Sequence, residues 1–224
     1  MEIVRRVGCE DVAVLYVGDL GGGRRVEFVE SVQPPIPRRE KWVVIVSTMV
    51  GCPVGCAMCD AGTAYAGPLT CDEILLQIDH AVRTRFGDEV PVAKFKVQFA
   101  RVGEPALNDA VLDVLRALPD RYEAPGLMPC ISTVGPAGRE GFFERLLEIK
   151  EALYVGGRFQ LQFSLHTTDD RRRDQIIPVR KWSRDEIAAY GSRFAREGDR
   201  KVALNFVLAE GWPVDPGVLA SSFG

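Results

Sequence analysis

The sequence predicts an α/β fold in which parallel strands alternate with helices. Three observations carry that prediction. Five strand-like runs recur from residue 42 onward, and segments of helical spacing lie between them. Helix-start patterns, a hydroxyl residue followed three positions later by Glu, stand at Thr70–Glu73 and Ser183–Glu186. Alternation of this kind implies parallel pairing through right-handed crossovers, as a barrel or an open sheet.

The elements follow in order. Residues 12–18 (VAVLYVG) and 24–32 (RRVEFVESV) flank a turn at Gly21–Gly23 and predict a β-hairpin. A Pro-rich, basic stretch, SVQPPIPRREK, then leads into the first parallel strand, 42–48 (WVVIVST), an apolar run suited to burial on both faces. After a cysteine loop, Leu75, Ile78 and Val82 repeat at helical spacing. The second strand is KFKVQFA (94–100), and a helix over Asp109–Leu118 is expected to stop at Pro119. The third is MPCISTV (128–134), followed by a helix over Arg139–Leu153. The fourth is RFQLQFSLH (158–166); a helix from Ser183 then stops at Gly198, before the fifth strand, KVALNFVL (201–208). DPGVLASSFG opens a further helix. The expected division is a hairpin extension with linker over 1–41 and a parallel α/β unit, barrel or open sheet, over 42–224.

The 224 residues carry 28 Lys plus Arg against 31 Asp plus Glu, a net charge of −3, and 46% are hydrophobic. That balance fits an ordinary soluble globular domain rather than a disordered chain. No apolar run is long enough to span a bilayer, and MEIVRRVGCED lacks the apolar stretch of a secretory signal, so a cytoplasmic location without a membrane partner is expected. The near-neutral charge gives no strongly basic surface for nucleic acid, although a local patch is compatible with it.

Three of the six cysteines, Cys52, Cys56 and Cys59, crowd into GCPVGCAMC at a C-x3-C-x2-C spacing. Structural zinc sites usually take four ligands in two separated pairs, whereas three thiolates with no evident fourth suit a [4Fe–4S] cluster with one open iron. Gly51, Pro53 and Gly55 keep the loop non-helical, so that amide groups can face cluster sulfurs. In parallel α/β folds, sites form where strands end. There the chain places the cysteine loop, Gly103-Glu104-Pro105, Ser132-Thr133 and Ser164-Leu165-His166. Taken singly, Glu104 reads as a solvated turn carboxylate, Ser132 as a backbone cap and His166 as a structural histidine. Their shared placement with the cysteine loop argues for one constellation. Arg171, Arg172 and Arg173 read as a solvated turn, with phosphate or RNA contact as the sharper alternative.

On VSTMVGCPVGCAMCDAG, FARVGEPALND, ISTVGP, FSLHTTDDRRRDQIIPVRK and ALNFVLAEG, in that order, the chain resembles the radical S-adenosylmethionine (radical SAM) enzymes, and among them the radical rRNA and tRNA adenine methyltransferases. The resemblance implies a partial (βα)6-type barrel, of which this chain supplies five strands and a stub of the next helix; the barrel is therefore expected to be C-terminally incomplete. It further implies that Cys52, Cys56 and Cys59 ligate a [4Fe–4S] cluster whose open iron chelates SAM. Gly103 and Glu104 would hold the methionine amino group, while Ser132, Ser164 and His166 position the rest of SAM, including its ribose. One electron would then give methionine and a 5′-deoxyadenosyl radical, with a flavodoxin- or ferredoxin-type protein as donor. The protein binds and orients; the cofactor carries the hard chemistry.

Three departures shape the functional expectation. Met58 stands where the family often has an aromatic residue. Ile45 occupies the position of the resolving cysteine, seven residues before Cys52, and the methyl-carrying cysteine belongs to a segment beyond this chain. Cys9, Cys71 and Cys130 match neither position. The helical domain that precedes the hairpin in those RNA enzymes has only about a dozen residues in its place. The leading expectation is a radical SAM enzyme of unassigned substrate. An RNA methyltransferase completed by a cysteine outside the chain is the alternative, and a non-catalytic Fe–S or zinc binding module is the third reading.

Overall fold

The computed structural model describes residues 1–62, 64–87 and 89–224. Three antiparallel strands come first: β1 (Glu2–Cys9), β2 (Ala13–Asp19) and β3 (Arg25–Ser31). Next are β4 (Trp42–Val46), the short strands β5 (Met49–Val50) and β6 (Gly67–Pro68), and α1 (Cys71–Arg85). The chain continues through β7 (Phe95–Phe99), α2 (Ala110–Arg121), β8 (Leu127–Thr133), α3 (Glu140–Leu153) and β9 (Gln160–Ser164). It ends with α4 (Asp170–Ile176), α5 (Arg184–Phe194), β10 (Ala203–Asn205) and α6 (Pro216–Phe223).

One sheet of eight strands runs in the order β1-β2-β3-β4-β7-β8-β9-β10, and its last five strands are parallel. The hairpin strands extend this sheet, because β3 pairs antiparallel with β4. β1 and β10 form its two edges, so the barrel is open among the described residues. Phe95, Val97 and Phe99 on β7 alternate with Lys96 and Gln98, so one face is buried under the helices and the other looks into the concave side. Both capping boxes form: Thr70 with Glu73 starts α1, and Ser183 with Glu186 starts α5.

Five expectations need correction. The N-terminal unit is a three-stranded meander; β1 escapes sequence reading because EIVRRVGC is an exposed edge strand with a register shift and no clean alternation. α2 runs past Leu118 and holds Pro119 in its last turn. Pro119 cannot donate to the Leu115 carbonyl four residues back, and the Tyr154 hydroxyl donates to that carbonyl instead, at 2.5 Å. Residues 170–176 form α4, where Arg173 is buried and donates to the carbonyls of Trp182 (2.6 Å) and Val134 (3.3 Å). The fifth parallel strand is short, and α5 ends at Phe194 rather than Gly198. Tyr154→Phe is expected to leave the Leu115 carbonyl buried without a donor and to lower stability by about 1–3 kcal/mol. Urea unfolding would read this as a lower midpoint at unaltered slope.

The hairpin is clamped to α1 at two points. Arg24 pairs with Glu73 at 2.5 Å, and Glu30, 1% exposed, accepts from Arg85 at 2.7 and 2.8 Å. Tyr16 and Trp42 also donate to Glu30, at 2.6 and 3.3 Å. Burial alone would push the Glu30 carboxyl up, but the Arg85 and Tyr16 bonds outweigh it and hold the group below its ordinary value.

Candidate active site

The cysteine loop leaves the C-terminal end of β4 and is closed at its base by β5 pairing with β6. Buried Asn108 fastens both flanks, its amide donating to the carbonyls of Thr48 and Leu69 at 2.8 Å each. Gln77 on α1 holds the end of β4, accepting from the Ser47 amide and donating to the Ser47 carbonyl at 2.9 and 3.0 Å. Within the loop, Ala57 N donates to the Ile176 carbonyl at 2.9 Å, tying the cysteines to the end of α4. Gly51 has φ +70°, and a Cβ there would sit 2.6 Å from the Tyr65 backbone, so only glycine lets the loop close.

One cavity of about 1050 Å³ opens at these strand ends, and all eight sequence-predicted residues line it: Cys52, Cys56, Cys59, Gly103, Glu104, Ser132, Ser164 and His166. Cys52 and Cys56 are half-buried and Cys59 is exposed. Burial, then Glu104 and Cys59, raises Cys52; burial, then Cys52, Cys59 and Glu104, pushes Cys56 up to about 11. Gly103, at φ +102°, lets the next loop pass against β5; a Cβ would stand 2.6 Å from Thr48 Oγ1.

Glu104 is not the solvated carboxylate that its loop position suggests. It is buried, and accepts from Thr133 Oγ1 (2.5 Å), Val134 N (2.9 Å) and Ala106 N (3.0 Å). Burial raises its pKa against those three donors, and no cation pairs with it among the described residues. Ser132 Oγ donates to Gln162 Oε1 at 2.7 Å, and Gln98 lies beside both, so three adjacent strands share a polar layer beneath the cavity. His166 holds φ +66°, unusual for a side-chain-bearing residue, and among the described residues its Nδ1 is buried without a partner, as is Thr48 Oγ1. Burial, then the charge of Arg173, keeps this imidazole below its ordinary pKa.

The hairpin also reaches the cavity, through Val17, Gly23, Arg25 and Glu27, with Arg101 bonded to Glu27 at 2.6 Å on the rim. Sequence reading missed these residues because only the long-range register of β3 on β4 carries them there. Cys130 lies lower on β8, fully buried, and burial pushes it up to about 11. Cys9 is exposed and Cys71 begins α1; neither lines the cavity.

The donor set fits an iron–sulfur cluster. Its three thiols surround a cavity, whereas no three His, Cys, Asp or Glu side chains converge on a single metal position among the described residues. A mononuclear zinc site needs its ligands at about 2.0–2.3 Å from one centre; a cubane spreads them over three irons. Glu104, whose carboxylate has no cation beside it, and His166, whose Nδ1 has no partner among the described residues, both line this cavity.

No family model matches the chain. It is 28% identical over 210 residues to the dual-specificity RNA methyltransferase RlmN of Helicobacter hepaticus, covering 91% of this chain and 51% of that protein. It is 32% identical over 191 residues to the probable dual-specificity RNA methyltransferase RlmN of Frankia alni, covering 82% of this chain and 44% of that one. A radical SAM methyltransferase from Sphaerobacter thermophilus superposes with a TM-score of 0.76 at 25% identity, over 99% of this chain and 62% of its own. The chain thus spans about half the length of the curated relatives it matches. In sequence over most of its length and in fold over nearly all of it, the chain is a homologue of the RlmN-type radical SAM methyltransferases.

Proposed function

We propose that this chain carries the cofactor-handling core of a radical SAM enzyme. The observation that supports the reading most strongly is the meeting of a three-thiol loop with four successive strand ends around one cavity. In this reading Cys52, Cys56 and Cys59 hold a [4Fe–4S] cluster and SAM binds beside it. Together those cofactors supply one-electron cleavage of the sulfonium, yielding methionine and a 5′-deoxyadenosyl radical. The rest is the work of this chain's residues. Glu104, buried without a cation, offers its charge to the ammonium of the methionine moiety. Gly103 lets backbone approach closely, while Ser132, Ser164 and the neutral His166 orient the remaining polar groups. Residues 42–224 carry this site, and residues 1–41 contribute its rim through Arg25 and Glu27.

Exposed Cys59 leaves one edge of the loop open to an electron donor of flavodoxin or ferredoxin type. All six cysteines are free and no helix among the described residues is long and apolar enough to cross a membrane, which supports a reducing, cytoplasmic setting. Anaerobic reconstitution with iron and sulfide, followed by SAM and dithionite, is expected to give 5′-deoxyadenosine. A cluster-loaded chain that forms none overturns the proposal.

A second reading, RNA adenine methylation, is favoured by the relatives that carry the name dual-specificity RNA methyltransferase. Against the two-cysteine route stands Ile45 on β4, paired in register with Gln98. Mass spectrometry of RNA from a deletion strain decides it: loss of a methylated adenine supports methylation, and an unchanged profile rejects it.

A further inference from the structure

The concave face of the sheet has a second polar feature at the opposite end from the cysteine loop. Lys94 and Lys96 share the face of β7 that carries Gln98, whereas Phe95 and Val97 pack under the helices. Trp42 pairs with Phe95 and its N–H donates to the Lys94 carbonyl at 3.1 Å, which sets Lys41 opposite Lys94. Arg200, just ahead of β10, donates to the Gly157 carbonyl at 3.0 Å in the loop before β9. Lys41, Lys94 and Lys96 meet where β4 and β7 begin, and Arg200, ahead of β10, stands near enough for its charge to act on Lys41 and Lys94. The three lysines are half-buried.

No carboxylate pairs with any of the four among the described residues. Lys41 donates to Gln33, Lys96 lies beside the Cys130 sulfur, and Lys94 has no side-chain hydrogen bond among the described residues. Both Lys41 and Lys94 are pushed below the ordinary lysine value, first by burial: Lys41 then by the charges of Lys96 and Arg200, Lys94 then by those of Arg200, Lys41 and Lys96. Elsewhere the chain pairs its cations closely: Arg85, Arg121, Arg139 and Lys150 all meet carboxylates. Like charges held together and partly desolvated are costly unless an anion joins them. The polar layer of Gln98, Ser132 and Gln162 lies between this cluster and the cavity above, which makes it a separate feature.

We propose that Lys41, Lys94, Lys96 and Arg200 form a binding site for a small multivalent oxyanion, a phosphate ester or polyphosphate, at the strand-start end of the barrel. Half-burial of the three lysines on the concave face, with Arg200 exposed at its edge, favours a compact ligand over a duplex, which needs a convex or open basic surface. Four cations with no internal acid favour several negative charges over one.

The test uses the full chain and inorganic pyrophosphate at constant ionic strength, read by isothermal calorimetry and by thermal unfolding. Saturable binding and a rise in Tm are expected for the wild type, with Arg171→Gln/Arg172→Gln on exposed α4 responding equally. Lys94→Gln/Arg200→Gln is expected to lose the binding heat and the pyrophosphate-dependent rise, while its Tm without pyrophosphate equals or exceeds that of the wild type because repulsion is relieved. Absence of saturable wild-type binding overturns the proposal. An undiminished response in Lys94→Gln/Arg200→Gln overturns it too, as does a fall in that variant's Tm without pyrophosphate.

Discussion

A Cys56→Ala chain is expected to lose both bound iron–sulfide and 5′-deoxyadenosine formation, while keeping its far-UV circular dichroism. Cys56 is half-buried in a loop whose backbone is held by other groups: Asn108 at both flanks and the Ala57-to-Ile176 bond beside it. Deleting one thiol therefore leaves the loop in place but takes away one of the three proposed iron ligands. Metal affinity built from several thiolates falls steeply when one is removed, because each supplies a separate coordinate bond. Iron and sulfide analysis after anaerobic reconstitution, with product quantified by mass spectrometry, checks the result. Cys9→Ala, at an exposed thiol outside the cavity, is the matched control and is expected to behave as the wild type. Equal cluster loading in both variants would remove Cys56 from the proposed ligand set.

The largest expected loss of stability follows from Arg85→Met. Its guanidinium makes three contacts of 3.1 Å or less with Glu30, a carboxylate 1% exposed, and a further one of 2.9 Å with Glu10. Removing the cation strands a buried negative charge, which costs about 3–5 kcal/mol. The loss depends on pH in a definite direction. In the wild type Glu30 is held below its ordinary 4.5, so its contribution is complete above that pH and disappears as the pH falls through the lower folded value. In the variant Glu30 takes up a proton readily, so the gap between the two chains narrows on acidification. Glu30→Gln in the Arg85→Met background is expected to recover part of the loss. Urea unfolding across a pH series measures both effects; a gap that widens toward low pH would contradict the assignment. Arg85 also anchors the hairpin whose Arg25 and Glu27 line the cavity, so the variant is expected to disturb the rim as well.

Both helix starts and the parallel order were legible because their signals are local. Thr70 and Glu73 bond to each other across three residues, and no distant contact is needed to form that box. The cysteine loop was legible for the same reason, since three thiols in eight residues constrain one another whatever surrounds them. Placing Gly103, Glu104, Ser132, Ser164 and His166 with those thiols needed one further rule, that parallel strands present their C-terminal ends on one side. β1 was illegible because an edge strand exposed on both faces imposes little pattern on its residues. Pro119 misled because its missing N–H is compensated by Tyr154, 35 positions away, a partner that no local rule identifies.

The sequence by itself determined the βα order, the three-thiol loop and the strand ends that gather beside it, because hydrophobic period, turn residues and motif spacing act over a few positions. Tertiary structure decided what each group does there. It turned Glu104 from a turn carboxylate into a buried, triply hydrogen-bonded charge, and Arg173 from a solvated residue into a buried brace. It also carried the hairpin's Arg25 and Glu27 to the cavity rim and set Lys41 against Lys94 across two paired strands. Those outcomes depend on strand register and burial, which join residues far apart in the chain. Desolvation then gives each charge an energy that its sequence neighbours cannot set.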